Sequence, residues 1–274
     1  MNAFPTEVGD AASPASVTRS RSAFTLEGSA DLWIIFEYGD ASYARTLLPD
    51  YVRLATPPPG TPPGKHPMMY SFGTHTVRLH GLPRIPMTYR ETIVGVCNVE
   101  LKEPAPYTGP YSLMTAATVD RLLPTFLGRL LGYPKAFRRA TTTDRSFCIA
   151  TFLGSRDLMC GQFDATGAAC KAANAAELRL AEPILTHPVI SRARWGTLLA
   201  SRFEIDKEAW LYTPVQVAAR VAGDKLPGLS EGLHCWPGVD MTTVGAFRSQ
   251  HQWSLNLPVN ARSRHTALSP DLLS

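Results

Sequence analysis

Apolar residues recur at every second position in several short stretches of this chain, and that period commits most of it to β-strands. In residues 213–221, Val215, Val217, Ala219 and Val221 alternate with Gln216, Ala218 and Arg220. Residues 92–101 place Ile93, Gly95, Cys97, Val99 and Leu101 on one face in the same way. Residues 32–38 are apolar and aromatic, 68–82 read as a hairpin, and shorter apolar runs occupy 146–153 and 158–163. Many short strands punctuated by Gly and Asp turns predict a mainly β fold of barrel or sandwich type, with few helices.

Two segments break the pattern. Val119, Leu122, Leu123, Phe126, Leu127, Leu130 and Leu131 recur at three and four residues, the stripe of an amphipathic helix. Pro124 suits its first turn and Gly132 the left-handed residue that ends it, so the helix stops just before Tyr133. A second helix is expected over 168–180, where the sequence is Ala-rich. The PPPGTPPG run at 57–64 predicts an irregular loop. Residues 1–22 and 260–274 are mostly small and polar and read as mobile tails, leaving one domain over 23–259.

With 274 residues and 45% apolar content, the chain can bury a sizeable single core. A net charge of +4, with basic residues scattered, argues against a nucleic-acid partner. No stretch approaches ~18 uninterrupted apolar residues, and the first residues lack an apolar signal core, so no membrane is implied and the cytoplasm is expected. Cys97, Cys148, Cys160, Cys170 and Cys235 are odd in number, irregularly spaced and read as buried thiols. The seven histidines are dispersed, with only His234 near a carboxylate, Glu231; neither a metal nor another cofactor is implied.

The six lysines stand against twenty-one arginines, which makes the search for an amine nucleophile short. Lys65, Lys102, Lys207 and Lys225 sit in turn-like polar surroundings, and Lys171 falls on the Ala-rich segment as a surface ammonium. Lys135 differs. It follows Gly132-Tyr133-Pro134 and precedes Ala136-Phe137, held behind a proline and between two aromatic rings. Desolvation there would disfavour the ammonium and free an amine to attack a carbonyl. Glu91, in Tyr89-Arg90-Glu91-Thr92, has the parity of the apolar face of its strand, and an inward carboxylate near a reactive amine suits proton transfer.

From about Trp33 to Pro258 these features resemble the acetoacetate decarboxylase family in their order. Residues 35–49 look like its first strand and following helix, and Tyr89-Arg90-Glu91 like its Tyr-x-Glu strand. Gly109-Pro110-Tyr111 with Met114, then Asp120, Pro124, Gly128-Arg129 and Tyr133-Pro134-Lys135 come next in the family's order. The resemblance implies a cone-shaped antiparallel β-barrel, a homo-oligomer and a Schiff-base lysine acting on a keto acid or related carbonyl compound. It carries that lysine onto Lys135 and the barrel glutamate onto Glu91, with Tyr133, Tyr89, Tyr111, Arg138 and Met114 as expected substrate contacts. Acetoacetate decarboxylase is itself a standard instance of an activated lysine, so that logic is taken over from the family.

The departures bear on substrate. The family's second lysine is replaced by Ala136, its glutamate after Gly-Arg by Leu130, and its N-terminal arginine falls near Ala30. Arg138 and Arg139 are the nearest candidates for a substitute cation. Three functions are therefore carried forward: β-keto acid decarboxylation through an imine, an imine-dependent aldolase-dehydratase, and a non-catalytic small-molecule-binding barrel.

Overall fold

A computed structural model of the chain describes residues 25–79, 86–102, 106–150, 157–193, 196–222, 226–240 and 244–261. Both terminal tails apart from residues 260 and 261, Lys225, and the ends of the segments 68–82 and 146–153 lie outside the described residues.

Strand β1 (Thr25–Asp40) leads into helix α1 (Ala41–Thr46), whose first turn is capped by the Asp40 carboxylate accepting from the Ser42 and Tyr43 amides. Then come β2 (Val52–Leu54), β3 (Lys65–Leu79), β4 (Met87–Leu101), β5 (Tyr111–Val119), α2 (Leu122–Leu130) and β6 (Lys135–Phe137). Strands β7 (Arg139–Thr142), β8 (Ser146–Ala150), β9 (Asp157–Ala165) and β10 (Cys170–Lys171) precede α3 (Glu182–Thr186). The chain continues through β11 (Val189–Arg192), β12 (Leu198–Ser201), β13 (Phe203–Ile205), β14 (Leu211–Val221), β15 (Gly232–Trp236), β16 (Gly245–Asn256) and β17 (Val259–Asn260).

The fold is mainly β, as the alternation predicts, and the pairings trace a closed circuit. β1 pairs with β3, β3 with β4, β4 with β5, and β5 with β11 in parallel; β11 pairs with β12, which continues past Arg202 into β13. β13 pairs with β16 and β16 returns to β1. Its interior holds one apolar cluster that includes Leu32, Ile34, Tyr89, Cys97, Met114 and Trp253. A second layer, β7-β8-β9-β14-β15, packs on the outer face of β1, β3 and β4. Between them lies a second cluster in which Trp33 stacks on Phe163 at 3.8 Å and Phe72 on Phe147 at 4.1 Å.

Several expectations need correction. Residues 68–79 form one continuous strand whose hairpin partner is β4, because both faces of β3 are covered and no turn interrupts it. The alternation of β4 breaks at its far end: a register shift between Val96 and Val99, with Asn98 at φ 53°, moves Val99 into the outer cluster while Ile93 and Cys97 face the interior. The Ala-rich segment is not one helix. Its start pairs with β14 as β10, and two 3-10 turns (Ala172–Asn174 and Ala176–Leu178) bury Ala172, Ala175 and Leu178 at three-residue spacing. Cys148 and Cys160 are not thiols: they face each other across β8 and β9 and form a disulfide. Cys97 is a buried thiol, Cys170 is half-buried and Cys235 exposed.

Helix α2 ends at Leu130, and Gly132 takes φ +84° where the chain turns back toward Lys135. Its apolar stripe faces outward. Leu122 (69% exposed), Leu123, Phe126 (65%) and Leu130 lie in solvent, whereas Pro124, Thr125 and Gly128 are buried. No described helix is long and apolar enough to cross a membrane.

Candidate active site

Lys135 opens β6, which runs parallel to β5 with Lys135 beside Ala117, while Glu91 on β4 pairs with Val119 of β5. Ala117 and Val119 are two positions apart on β5, so both side chains leave the sheet on the same side. The Lys135 Nζ lies 2.8 Å from Glu91 Oε1, with the two side chains 10% and 5% exposed. Glu91 sits well inside β4, which begins at Met87, rather than at a solvated rim.

The lysine's approach is fixed at several points. Arg129 Nε donates to the Lys135 carbonyl at 2.6 Å, and the Tyr133 amide donates to the Gly128 carbonyl at 2.9 Å. A Cβ at Gly128 would stand 2.3 Å from Lys135 Cδ, so the helix reserves space there for the lysine stem. Tyr89 and Tyr133 present their rings to Nζ at 5.2 and 5.9 Å from the centroids. Tyr133 is buried and its hydroxyl donates to Ser201 Oγ at 3.0 Å; burial pushes that hydroxyl up to about 12. On the outer side of β4, Asp120 holds Arg90 through its amide at 2.8 Å and its guanidinium at 3.1 Å, which pins the strand next to Glu91.

The other expected contacts divide. Met114 lines a cavity of about 100 Å³ inside the barrel. Tyr111, although buried, belongs to the outer cluster and hydrogen-bonds Tyr107, so the structure does not bring it to the lysine; β5 sends Tyr111 and Met114 to opposite faces. Arg138 is half-buried, donates to the adjacent Phe137 carbonyl at 3.1 Å and does not line the cavity. Ala30, where the family's arginine would fall, is buried in the barrel interior.

His75 was not singled out by the sequence. It stands opposite Tyr89 in the β3–β4 pairing, stacks on that ring at 5.7 Å and approaches Glu91 Oε2 to 3.7 Å. Glu91 therefore has the ammonium on one oxygen and an imidazole near the other. Burial drives His75 below the ordinary imidazole range against the pull of Glu91. Lys135 and Glu91 do not themselves line the cavity, whereas His75, which approaches Glu91, does. Its signal was available in Met69, Ser71, Gly73, His75 and Val77, one parity of β3, but reading the segment as a hairpin hid it.

Neither a family model nor a curated protein matches the chain. Solved structures do. The enduracididine biosynthesis enzyme MppR, complexed with pyruvate, aligns with TM-score 0.60 over 94% of this chain and 98% of its own at 13% identity. An acetoacetate decarboxylase-like enzyme from Sphingomonas wittichii RW1 gives 0.60 over 88% and 95% at 11% identity, and acetoacetate decarboxylase from Legionella pneumophila 0.57 over 93% and 94% at 13%. The chain has the acetoacetate decarboxylase-like fold. The acetoacetate decarboxylase-like barrel thus supplies the scaffold, and at these identities the site's chemistry rests on the side chains present.

Proposed function

We propose that this protein is a Schiff-base-forming carbon–carbon lyase in which Lys135 is the nucleophile and Glu91 its proton partner. The observation that carries the reading is the buried Lys135–Glu91 pair at 2.8 Å. Transfer of a proton from the ammonium to Glu91 would leave the Nζ lone pair to attack a carbonyl carbon; the carbonyl π electrons pass to oxygen, which takes a proton. Loss of water then forms the imine, whose protonated form accepts an electron pair. With a β-keto acid the C–CO2 bond breaks into that sink, giving CO2 and an enamine. Protonation at carbon and hydrolysis return the ketone and the free lysine.

A second outcome, aldol condensation or cleavage with dehydration, is favoured by the absence of any Lys or Arg among the described residues that line the cavity. A related barrel supports it: MppR has been obtained with the condensation product of pyruvate and imidazole 4-carboxaldehyde. Tyr89, Tyr133 and Met114 are proposed to contact substrate, on the strength of their positions beside the amine and the cavity.

Borohydride added with a panel of keto acids and ketones should trap a covalent adduct on Lys135, located by peptide mass spectrometry. An unmodified Lys135 across the panel overturns the reading. Product analysis then separates the outcomes, because only decarboxylation releases CO2.

A further inference from the structure

The barrel register sets three positions in one row. Ala30 on β1 pairs with His75 on β3 and with His251 on β16, so a single methyl group stands between two imidazoles. Both histidines line the cavity of about 100 Å³, as do His187, just past α3, and Trp253. Most of the remaining lining is apolar, with Leu32, Ile93 and Phe203 among it, and no Lys, Arg, Asp or Glu among the described residues takes part.

Buried polar atoms in folded proteins are almost always hydrogen-bonded. Here neither ring nitrogen of His75 makes a hydrogen bond, nor does Nδ1 of His187 or Nε1 of Trp253, and His75 is only 7% exposed. All three of these side chains line the same cavity. His251 is different, its Nδ1 being 2.9 Å from Ser249 Oγ. Burial lowers all three imidazoles, His187 and His251 to about 4, so near neutrality each offers one donor and one acceptor without charge. A carboxylate entering this space would shed its water and meet no cation. A ketone or aldehyde oxygen would meet a hydrogen-bond donor.

We propose that the cavity binds an uncharged carbonyl compound with an apolar body, its oxygen held by the imidazole of His75. For the chemistry after binding, the assignment rests on the Schiff-base reading, because Glu91 touches both His75 and Lys135. It moves the reaction toward the aldol and dehydration outcome and away from loss of CO2, since the substrate brings no carboxylate. The cavity of about 100 Å³ suits a short chain better than a large ring system.

Binding and chemistry separate in the Lys135→Ala protein, which cannot form an imine. Ligand-observed NMR should show it binding methyl butyl ketone about tenfold or more tighter than the keto acid of equal length whose terminal methyl is a carboxylate. The ketone should also bind tighter than hexane. His75→Phe should abolish the preference for ketone over hexane, whereas His75→Gln, which keeps a donor and an acceptor, should retain it. Equal or tighter binding of the keto acid, or no discrimination between ketone and hexane before His75 is changed, overturns the assignment. If the ketone binds as expected but borohydride leaves Lys135 unmodified in the unaltered protein, the ligand class stands and the imine reading falls.

Discussion

Lys135 and Glu91 come from strands that do not pair with each other, yet their charged atoms meet at 2.8 Å because β5 carries both neighbours, Ala117 and Val119, on one face. Replacing Glu91 by Gln keeps the shape and removes the proton acceptor. The rate of borohydride-dependent trapping should fall by roughly 10²–10⁴, the usual contribution of a positioned acid–base group. The same change leaves a buried ammonium without its counter-charge, and stability should drop by about 3–5 kcal/mol in denaturant titration. Unchanged trapping would remove Glu91 from the chemistry.

Gly128 touches the nucleophile without being part of it. The methyl group of Gly128→Ala would overlap the middle of the Lys135 stem, 2.3 Å from Cδ and 2.8 Å from Cε, and the atoms it meets are side chain rather than backbone, so the stem should yield. Trapping should slow by an order of magnitude or more, since a displacement of about 1 Å at a reacting group can cost 10²-fold. The stability loss should stay within the ~1–3 kcal/mol of ordinary overpacking. A thermal melt and a trapping time course on the same sample distinguish displacement of the amine from general unfolding.

Much of this arrangement is legible before any coordinates. Period-two runs mark β4 and β14, a short apolar run marks β9, the Gly132 break marks the end of α2, and Lys135 stands out because so few lysines compete with it. What stays hidden depends on register. Ala30, His75 and His251 lie far apart along the chain and become one row only when β1 pairs with both β3 and β16. The cross-strand approach of Cys148 and Cys160 is likewise a product of how β8 meets β9. The Ala-rich segment shows the opposite failure, in which intrinsic helix propensity loses to pairing with β14 and to the burial of Ala172 and Ala175.

The outward face of α2 bears on the homo-oligomer that the family resemblance implies. Leu122, Leu123, Phe126 and Leu130 on one nine-residue helix form an apolar surface of the kind that protein contacts cover, and a second copy of this chain is the occupant proposed. Phe126→Glu combined with Leu130→Glu should shift the mass measured by light scattering to that of a 29.9 kDa monomer. Both side chains are exposed in the single chain, so the monomer should keep its thermal stability. An unaltered oligomeric mass would place the contact elsewhere.

Burial of neutral histidines ties stability to pH in a definable window. His187 and His251 are lowered to about 4 by desolvation, and His66 and His75 are lowered for the same first reason. In the unfolded chain each would protonate near 6.5, so between about 6.5 and 4 the unfolded state binds more protons than the folded one. Stability must then rise with pH across that window, and the contribution is complete above it. For His251, the full difference corresponds to about 3 kcal/mol. Thermal melts at intervals from pH 7 to pH 4 should show a falling Tm, and His251→Gln should flatten the slope by up to one proton. A Tm independent of pH over this range would mean that these imidazoles take up protons without unfolding, and with that the neutral lining assigned to the cavity would be lost.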